Sequence, residues 1–152
     1  MKARISPHTR WKTSPFSTIH QPQKMRPLKA SSHLSTVFTP PTTTADLYYI
    51  KECYKEALKA YKKNEVPVGC VIVMDGKIIS RAHNLREKKQ SVLAHAEIEA
   101  IRKACLKTKT KFLDGAKIYI TLEPCLMCLG AIVQARISEI IYSADEPKFG
   151  SV

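Results

Sequence analysis

The sequence contains His95-Ala96-Glu97 and, further along the chain, Pro124-Cys125-Leu126-Met127-Cys128. Imidazole nitrogen and thiolate sulfur are ligands that zinc prefers in proteins. The two motifs therefore offer three zinc ligands, His95, Cys125 and Cys128, together with one carboxylate that is not needed as a ligand. Three protein ligands leave a fourth tetrahedral position open, which distinguishes a catalytic zinc site from a closed structural one. We therefore predict a catalytic site that holds one Zn2+.

The remaining carboxylate belongs to Glu97, two positions after the predicted ligand His95. Water has a pKa of about 15.7, and coordination to zinc lowers this pKa to about 7. A neighbouring carboxylate can then take a proton from the water and deliver it to the reacting substrate. We predict that Glu97 is this general acid and base, and that its removal leaves zinc bound while activity is lost.

Helix starts are predicted to bring these side chains together. Proline is common at the first position of a helix, so Pro124 predicts a helix that presents Cys125 and Cys128 on one face. His95 and Glu97 would point about 200° apart on an ideal helix. Both can therefore reach one metal only if they lie in a first turn whose open end faces the site.

Other interpretations of these motifs are open at this point. A Cys-x-x-Cys pair is also typical of redox sites and of one half of a structural zinc site. A histidine such as His95 can also be a hydrogen-bonded residue on a half-buried helix. His83 is another possible ligand, but it ends a predicted strand and no glutamate follows it two positions later.

The first part of the chain differs in composition from the rest. Residues 1–45 hold seven Lys or Arg residues, six of the nine prolines and no acidic residue, so they account for most of the net charge of +12. A polar, proline-rich segment without an apolar period cannot bury enough surface to fold. We predict a disordered basic extension over residues 1–45 that resembles an organellar transit peptide, with an RNA-contacting arm or an upstream start site as alternatives.

Cysteine content and hydropathy bear on the compartment. The chain has five cysteines, an odd number with no apolar signal segment ahead of them, which favours a reducing compartment. No apolar run approaches the roughly 20 residues that cross a membrane. We predict a cytoplasmic protein, or a mitochondrial or plastid protein if residues 1–45 are a transit peptide.

Hydrophobic periodicity predicts alternating helices and strands. The predicted elements, in chain order, are a helix at 46–64, strands at 68–74 and 77–83, a helix from about His95, a strand at 116–122, a helix from Pro124 and a strand at 139–144. Asp75-Gly76 is a strong signal for a hairpin turn between the first two strands. This order predicts the α/β class, as a three-layer α/β/α sandwich with a mixed sheet.

The wider sequence around these motifs resembles one family. The segments that carry the likeness are Glu65-Val66-Pro67-Val68-Gly69, Ala82-His83-Asn84-Leu85-Arg86-Glu87, Ala94-His95-Ala96-Glu97-Ile98, Thr121-Leu122-Glu123-Pro124-Cys125-Leu126-Met127-Cys128, Gly130-Ala131-Ile132 and Ala135-Arg136-Ile137. The His-x-Glu and Pro-Cys-x-x-Cys motifs mark zinc deaminases in general. From about Asp46 to Gly150 the chain resembles the bacterial-type tRNA-specific adenosine deaminases, a branch of the cytidine deaminase-like superfamily.

The resemblance implies a fold, a reaction and further site residues. It implies a cytidine deaminase-like domain, with one Zn2+ per subunit, that converts adenosine to inosine at the wobble position of tRNA anticodons. It also implies that Asn84 hydrogen-bonds the target base, that Val68 lines the base pocket, and that the backbone at Cys125 helps to hold the tetrahedral centre. On motif grounds alone, Asn84 could also be a turn residue after a strand. The implied partners are a tRNA anticodon loop and a second copy of the chain, in a homodimer.

An anticodon loop suits this chemistry because its bases are partly unpaired. Turning one such base into a pocket costs at most a few kcal/mol. Five lysines in predicted loops near the metal helix are candidates for phosphate contacts, or are simply solvated: Lys88, Lys89, Lys107, Lys109 and Lys111.

Two departures from the family pattern bear on activity. Ser91-Val92-Leu93 stands where the family usually has Asp-Pro-Thr, so we expect a differently shaped loop before the metal helix. The sequence ends at Val152, before a further strand and helix of the family, so residues 46–152 are predicted to form a zinc deaminase domain without those elements. Alternatives are a deaminase of free bases or nucleotides, since residues 127–132 also resemble guanine deaminases, and an inactive truncated zinc-binding fragment.

Overall fold

The computed structural model describes residues 36–151 of the chain. Its elements are, in order, β1 (Val37–Thr39), α1 (Thr44–Tyr61), β2 (Gly69–Met74), β3 (Lys77–His83), α2 (Arg86–Lys89), α3 (Ala96–Thr108), β4 (Lys117–Ile120), α4 (Leu126–Gln134) and β5 (Glu139–Tyr142). The predicted order of helices and strands is confirmed, and β1 and α2 are additions to it. Among these described helices, none combines the length and the apolar character that crossing a membrane requires.

The five strands form one mixed sheet in the order β1-β5-β4-β2-β3. β2 is antiparallel to β3 and β4, whereas β5 is parallel to both β4 and β1. In the turn between β2 and β3, φ is 50° at Asp75 and 71° at Gly76, as in type I′ hairpin turns. The predicted mixed sheet and its Asp-Gly hairpin are therefore confirmed.

Helices cover both faces of the sheet, because successive residues of a strand point to opposite faces. On β2, Ile72 belongs to the buried cluster formed with α3 and α4. The adjacent Val71 belongs to a second cluster, which includes Ile50 of α1. Both faces of β2 are thus buried, which explains its nearly continuous apolar sequence. The predicted three-layer α/β/α sandwich is confirmed.

The start of α1 is stabilised by a capping box. The Thr43 hydroxyl accepts a hydrogen bond from the backbone N–H of Asp46 at 3.0 Å, and the Asp46 carboxylate accepts one from the N–H of Thr43 at 2.9 Å. The same carboxylate accepts a hydrogen bond from the Tyr119 hydroxyl at 2.8 Å. Side chains at this helix start therefore serve the fold, since they close the helix end and tie it to β4.

Residues 36–45, which were predicted to belong to the N-terminal extension, hold β1 and the start of α1. β1 pairs in parallel with β5, and the Thr39 hydroxyl donates a hydrogen bond to the Glu139 carboxylate at 2.7 Å. A strand of three residues shows no period of its own, and its partner lies 100 positions away in the sequence. The rest of the predicted extension, residues 1–35, lies outside the described residues.

The predicted start of the third helix also needs correction. α4 begins at Leu126, so Pro124 precedes the helix and Cys125 is its N-cap residue. The backbone at Cys125 is extended, with φ −74° and ψ 167°, as is usual for an N-cap. The preference of proline for a first helical position is only statistical, and here the cap position is occupied by a predicted metal ligand.

Candidate metal centre

The starts of α3 and α4 carry the three predicted ligands. His95 is the N-cap residue of α3, Cys125 is the N-cap residue of α4, and Cys128 lies in the first turn of α4. Neither N-cap side chain makes a capping hydrogen bond to its own helix. These side chains are instead directed towards each other, as their distances show.

The three donor atoms have a spacing that suits a tetrahedral metal ion. His95 Nδ1 lies 3.5 Å from the Cys128 sulfur and 3.8 Å from the Cys125 sulfur. All three candidate ligand atoms lie within 4.8 Å of one another. Bonds of about 2.3 Å for Zn–S and about 2.0 Å for Zn–N, at a tetrahedral angle, would separate nitrogen from sulfur by roughly 3.5 Å. The residues therefore fit zinc in both donor type and spacing.

Burial changes the proton affinity of the ligands in opposite directions. Burial, assisted by the positive charge of Arg86, lowers the pKa of His95, which favours the neutral imidazole that a metal requires. Burial also raises the pKa of the Cys128 thiol, and the nearby Glu97 and Cys125 add to this rise. A divalent cation among these side chains would oppose that effect, because coordination stabilises the thiolate.

Glu97 lies next to the ligands but is not one of the three. It is in the first turn of α3, and only 4% of the residue is exposed. Burial raises the pKa of Glu97, which moves this carboxyl group towards the range that favours proton transfer near neutral pH. His95 and Glu97 thus share one helix start, which is the arrangement that their spacing required.

A cavity of about 270 Å³ adjoins these residues. Its lining includes His95 and Glu97, and also Asn84 and Val68, the two residues predicted to contact a base. Asn84 is buried, and its backbone N–H donates a hydrogen bond to the Val68 carbonyl at 3.1 Å. Within the described residues, no hydrogen bond engages the side-chain amide of Asn84. This amide is therefore available to a ligand in the cavity.

His83, the alternative ligand, is occupied elsewhere. Its Nδ1 lies 2.9 Å from the Glu56 carboxylate, and its Nε2 lies 2.8 Å from the Lys63 ammonium. Because an ammonium group can only donate, we assign the ring proton to Nδ1, which donates to Glu56. His83 is therefore a structural residue that joins the end of β3 to α1.

Sequence reasoning missed the contribution of Glu65. This buried carboxylate accepts hydrogen bonds from the backbone N–H groups of Glu87 at 3.1 Å and Lys88 at 2.8 Å, at the start of α2. Asn84 lies just ahead of α2, so Glu65 holds the segment that carries Asn84. The motif Glu65-Val66-Pro67-Val68-Gly69 was recognised as part of the family resemblance. The role of Glu65 itself was not predicted, because its hydrogen-bond partners lie more than twenty positions away in the sequence.

The segment after β5 was also missed as part of the site. Glu146 and Phe149 line the cavity, and Gly150 forms an antiparallel bridge with Cys125, a predicted metal ligand. A Cβ atom at Gly150 would lie 2.1 Å from the Glu123 carboxylate, so a larger residue at this position would require the Glu123 side chain to shift. This segment therefore forms one wall of the cavity.

The predicted loop lysines are not equivalent. Lys88 and Lys89 lie in α2 and Lys107 lies in α3, so the prediction that they lie in loops is wrong for these three. Lys89 forms an ion pair of 2.6 Å with the buried Glu99. Lys89 therefore has a structural role, and only the other lysines are candidates for phosphate contacts.

Comparison with known proteins agrees with this geometry. A family model, the cytidine and deoxycytidylate deaminase zinc-binding region, matches residues 43–144. A tRNA-specific adenosine deaminase of Bacillus subtilis (strain 168) is 51% identical over 107 residues, which are 70% of this chain and 66% of that protein. A second relative, a tRNA-specific adenosine deaminase of Aquifex aeolicus (strain VF5), is 49% identical over 105 residues, which are 69% of this chain and 70% of that protein. The chain belongs to the tRNA-specific adenosine deaminase family. The metal cofactor of its matched region is Zn2+, which favours the metal interpretation of Cys125 and Cys128 over a redox pair.

Two solved structures extend the comparison of this family member. One, from a study of A-to-I editing by tRNA:A34 deaminases at the wobble position, has a TM-score of 0.69 and 43% identity, and covers 70% of this chain and 77% of its own. The other, a guanine deaminase from Bacillus subtilis, has a TM-score of 0.63 and 38% identity, and covers 65% of this chain and 64% of its own. The cytidine deaminase-like fold is thus confirmed. The chain spans just under two thirds of the length of the Bacillus adenosine deaminase.

Proposed function

We propose that this chain deaminates adenosine to inosine at the wobble position of tRNA anticodons, with one Zn2+ held by His95, Cys125 and Cys128. The observation that carries the proposal is the convergence of three zinc donors beside the buried carboxylate of Glu97, on a cavity that also contains the free amide of Asn84. Relatives with this domain include a tRNA-specific adenosine deaminase at 51% identity, which supports adenosine in tRNA as the substrate.

The proposed chemistry divides between the metal and Glu97. When bound, Zn2+ supplies the Lewis acidity that brings the pKa of a water molecule from about 15.7 to about 7. Glu97 accepts a proton from the attacking water and delivers it to N1 of adenine as the new C–O bond forms at C6. Glu97 then moves the second water proton to the amino group, the C6–N bond breaks, and ammonia leaves. The overall reaction converts adenosine and water into inosine and ammonia.

The other cavity residues would hold and orient the base. The Asn84 amide offers both a donor and an acceptor, so it can pair with two polar atoms of a purine. Val68 is half-buried in the same lining and would contact the flat face of the base. The backbone N–H of Cys125 lies at the start of α4, where the helix dipole would favour the negative charge that develops on the oxygen bonded to C6.

A free purine is the second candidate substrate, and the guanine deaminase with a TM-score of 0.63 is the observation that favours it. The two proposals differ in what must surround the target base. A free base needs only the cavity, whereas an RNA loop also needs cationic surface around it. The exposed Arg86 at the cavity and the exposed Lys88 next to it favour RNA.

The test uses the full chain loaded with zinc and an anticodon stem-loop RNA with adenosine at the wobble position. The matched control is the same stem-loop with that adenosine moved to a neighbouring loop position. We expect inosine only at the wobble position and no ammonia from free guanine, cytidine or deoxycytidylate. Ammonia from a free base alone would establish the second candidate, and full zinc occupancy without any product would establish an inactive zinc-binding fragment.

We also propose a cytoplasmic homodimer. α4 contains no charged residue, and Leu126 on its surface is 76% exposed, which suits burial against a second copy of the chain. The five cysteines are all free, as expected in a reducing compartment. Light scattering on the zinc-loaded chain should give the mass of two chains, and the mass of one chain would contradict the dimer.

A further inference from the structure

An aromatic ring lies at the edge of the metal cavity without being buried by it. Phe149 lines the cavity, yet 63% of the residue is exposed. Val66 lines the same cavity and is 57% exposed. These two apolar side chains are therefore accessible to a ligand that extends out of the cavity.

The position of Phe149 is fixed by the segment that carries it. The next residue, Gly150, pairs with the metal-ligand residue Cys125 and donates a backbone hydrogen bond to the Glu146 carbonyl at 2.9 Å. Glu146 in turn donates its backbone N–H to the Glu123 carboxylate at 3.0 Å. The backbone that carries the ring is therefore held in place, one residue before the bridge between Gly150 and Cys125.

Charged groups of both signs lie near this ring, since the Glu146 carboxylate belongs to a residue that lines the same cavity. The Lys148 ammonium lies 5.1 Å from the centre of the Phe149 ring, and Arg86 lines the same cavity. An exposed aromatic ring with cations beside it is the combination that binds unpaired nucleotides, since the ring stacks on a base and the cations attract the phosphates. A free base carries no phosphate for the cations to attract.

We propose that Phe149 is a stacking subsite for the nucleobase next to the target adenosine, in a single-stranded RNA loop. The inference rests on the proposed function and deepens it, because it makes the neighbouring nucleotide part of what is recognised. Every base has a flat face, so this subsite adds affinity for a loop without selecting a particular neighbouring base. It also explains how a cavity sized for one base would prefer a polynucleotide over a free nucleoside.

The test compares Phe149→Ala and Phe149→Trp with the wild-type chain on the anticodon stem-loop. We expect Phe149→Ala to raise KM by about 5- to 150-fold, the range for one base stacked on an aromatic side chain, with kcat and zinc content unchanged. Phe149→Trp should keep the wild-type KM. The matched control is Tyr61→Ala, which removes an aromatic residue that is 69% exposed but does not line the cavity, and which should change nothing.

A second measurement separates this inference from the proposed function. 2-Aminopurine placed beside the target position should lose fluorescence when the wild-type chain binds, because the base stacks, and should keep it with Phe149→Ala. Quenching that depends on Phe149 without inosine formation would support the subsite while the proposed function fails. Inosine formation with the same KM and quenching in Phe149→Ala would overturn the subsite and leave the function standing. Absence of RNA binding by the wild-type chain would overturn both.

Discussion

The starts of the three long helices use their first side chains in two different ways. At α1, Thr43 and Asp46 form a capping box, so the helix end is closed by its own residues. At α3 and α4, His95 and Cys125 occupy the same N-cap position and make no capping hydrogen bond. Both instead point at a shared position where their donor atoms are 3.8 Å apart.

The two proposed metal-site helices lack the stabilisation that a side-chain cap gives α1. A side-chain cap typically stabilises a helix by about 0.5–2 kcal/mol, and α3 and α4 lack it. Zinc bound by the cap residues would more than replace that loss, because structural zinc binding is worth roughly 10–16 kcal/mol in small domains. We therefore expect substitutions at the two kinds of helix start to have different effects.

The largest effect is expected at the metal helices. His95→Ala removes one of three ligands, so we expect loss of zinc and of all detectable deamination. Thr43→Ala at the equivalent position of α1 should leave zinc in place. Elemental analysis of both purified variants, alongside the activity assay, checks this contrast. Retention of a full equivalent of zinc by His95→Ala would remove that residue from the ligand set.

The next effect separates metal binding from proton transfer. Glu97→Gln keeps the size of the side chain but cannot accept a proton, so we expect zinc content to stay unchanged while kcat falls by about 10²- to 10⁴-fold. The exposed Glu87 provides a control, since Glu87→Gln should leave kcat unchanged. Wild-type turnover by Glu97→Gln would show that another group moves the proton.

A smaller effect is expected at the start of α2, which is capped by a residue more than twenty positions earlier in the sequence. Glu65 accepts the backbone N–H groups of Glu87 and Lys88, so it caps α2 as Thr43 caps α1. Glu65→Gln should loosen the segment that carries Asn84 and lower kcat/KM by about 10- to 100-fold through misplacement of the base. Zinc content should not change. Unaltered kcat/KM would mean that α2 does not position Asn84.

Removal of the α1 cap should affect stability alone. We expect Thr43→Ala to lower the free energy of unfolding by about 0.5–2 kcal/mol, without a change in KM or kcat. Urea unfolding of the zinc-loaded protein measures the first quantity, and the stem-loop assay measures the second. A loss of activity larger than the loss of folded protein would show that the two kinds of helix start are coupled.

The smallest expected effect is the pH dependence of the stability that the α1 capping box contributes. Burial acts to raise the pKa of Asp46, but hydrogen bonds from Thr43, Tyr119 and Thr42 outweigh it and hold the pKa below its usual value of 3.8. A carboxylate with a lowered pKa stabilises the fold above its unfolded pKa, and this contribution is lost as the pH falls through its folded pKa. The stability difference between wild type and Asp46→Asn should therefore shrink between pH 5 and pH 3. A constant difference would exclude Asp46 as the acid-sensitive group.

Local signals in the sequence predicted most of the fold. Asp75-Gly76 predicted its hairpin because the turn depends on two adjacent residues, both with positive φ. The buried run of β2 predicted helices on both faces of the sheet. β1 was missed because three residues have no recognisable period, and α2 was missed because its four residues are all charged and exposed. These two elements depend on partners that only the folded chain supplies.

The candidate site was predictable to a similar extent. His95, Cys125 and Cys128 were predicted as one group from donor chemistry, and the structure brings them together. Glu65, Phe149 and the wall formed by Gly150 were not predicted, because each acts through contacts that are distant in the sequence. The roles of the individual side chains stay predictions until the variants are measured.

The most direct test of the central claim is zinc K-edge X-ray absorption on the full chain. With His95, Cys125 and Cys128 as ligands, we expect two sulfur atoms at about 2.3 Å and two nitrogen or oxygen atoms at about 2.0–2.2 Å. Glu97→Gln should give the same spectrum, whereas Cys128→Ser should lose a sulfur or the metal altogether. A shell with four sulfur atoms, or with none, would contradict the account.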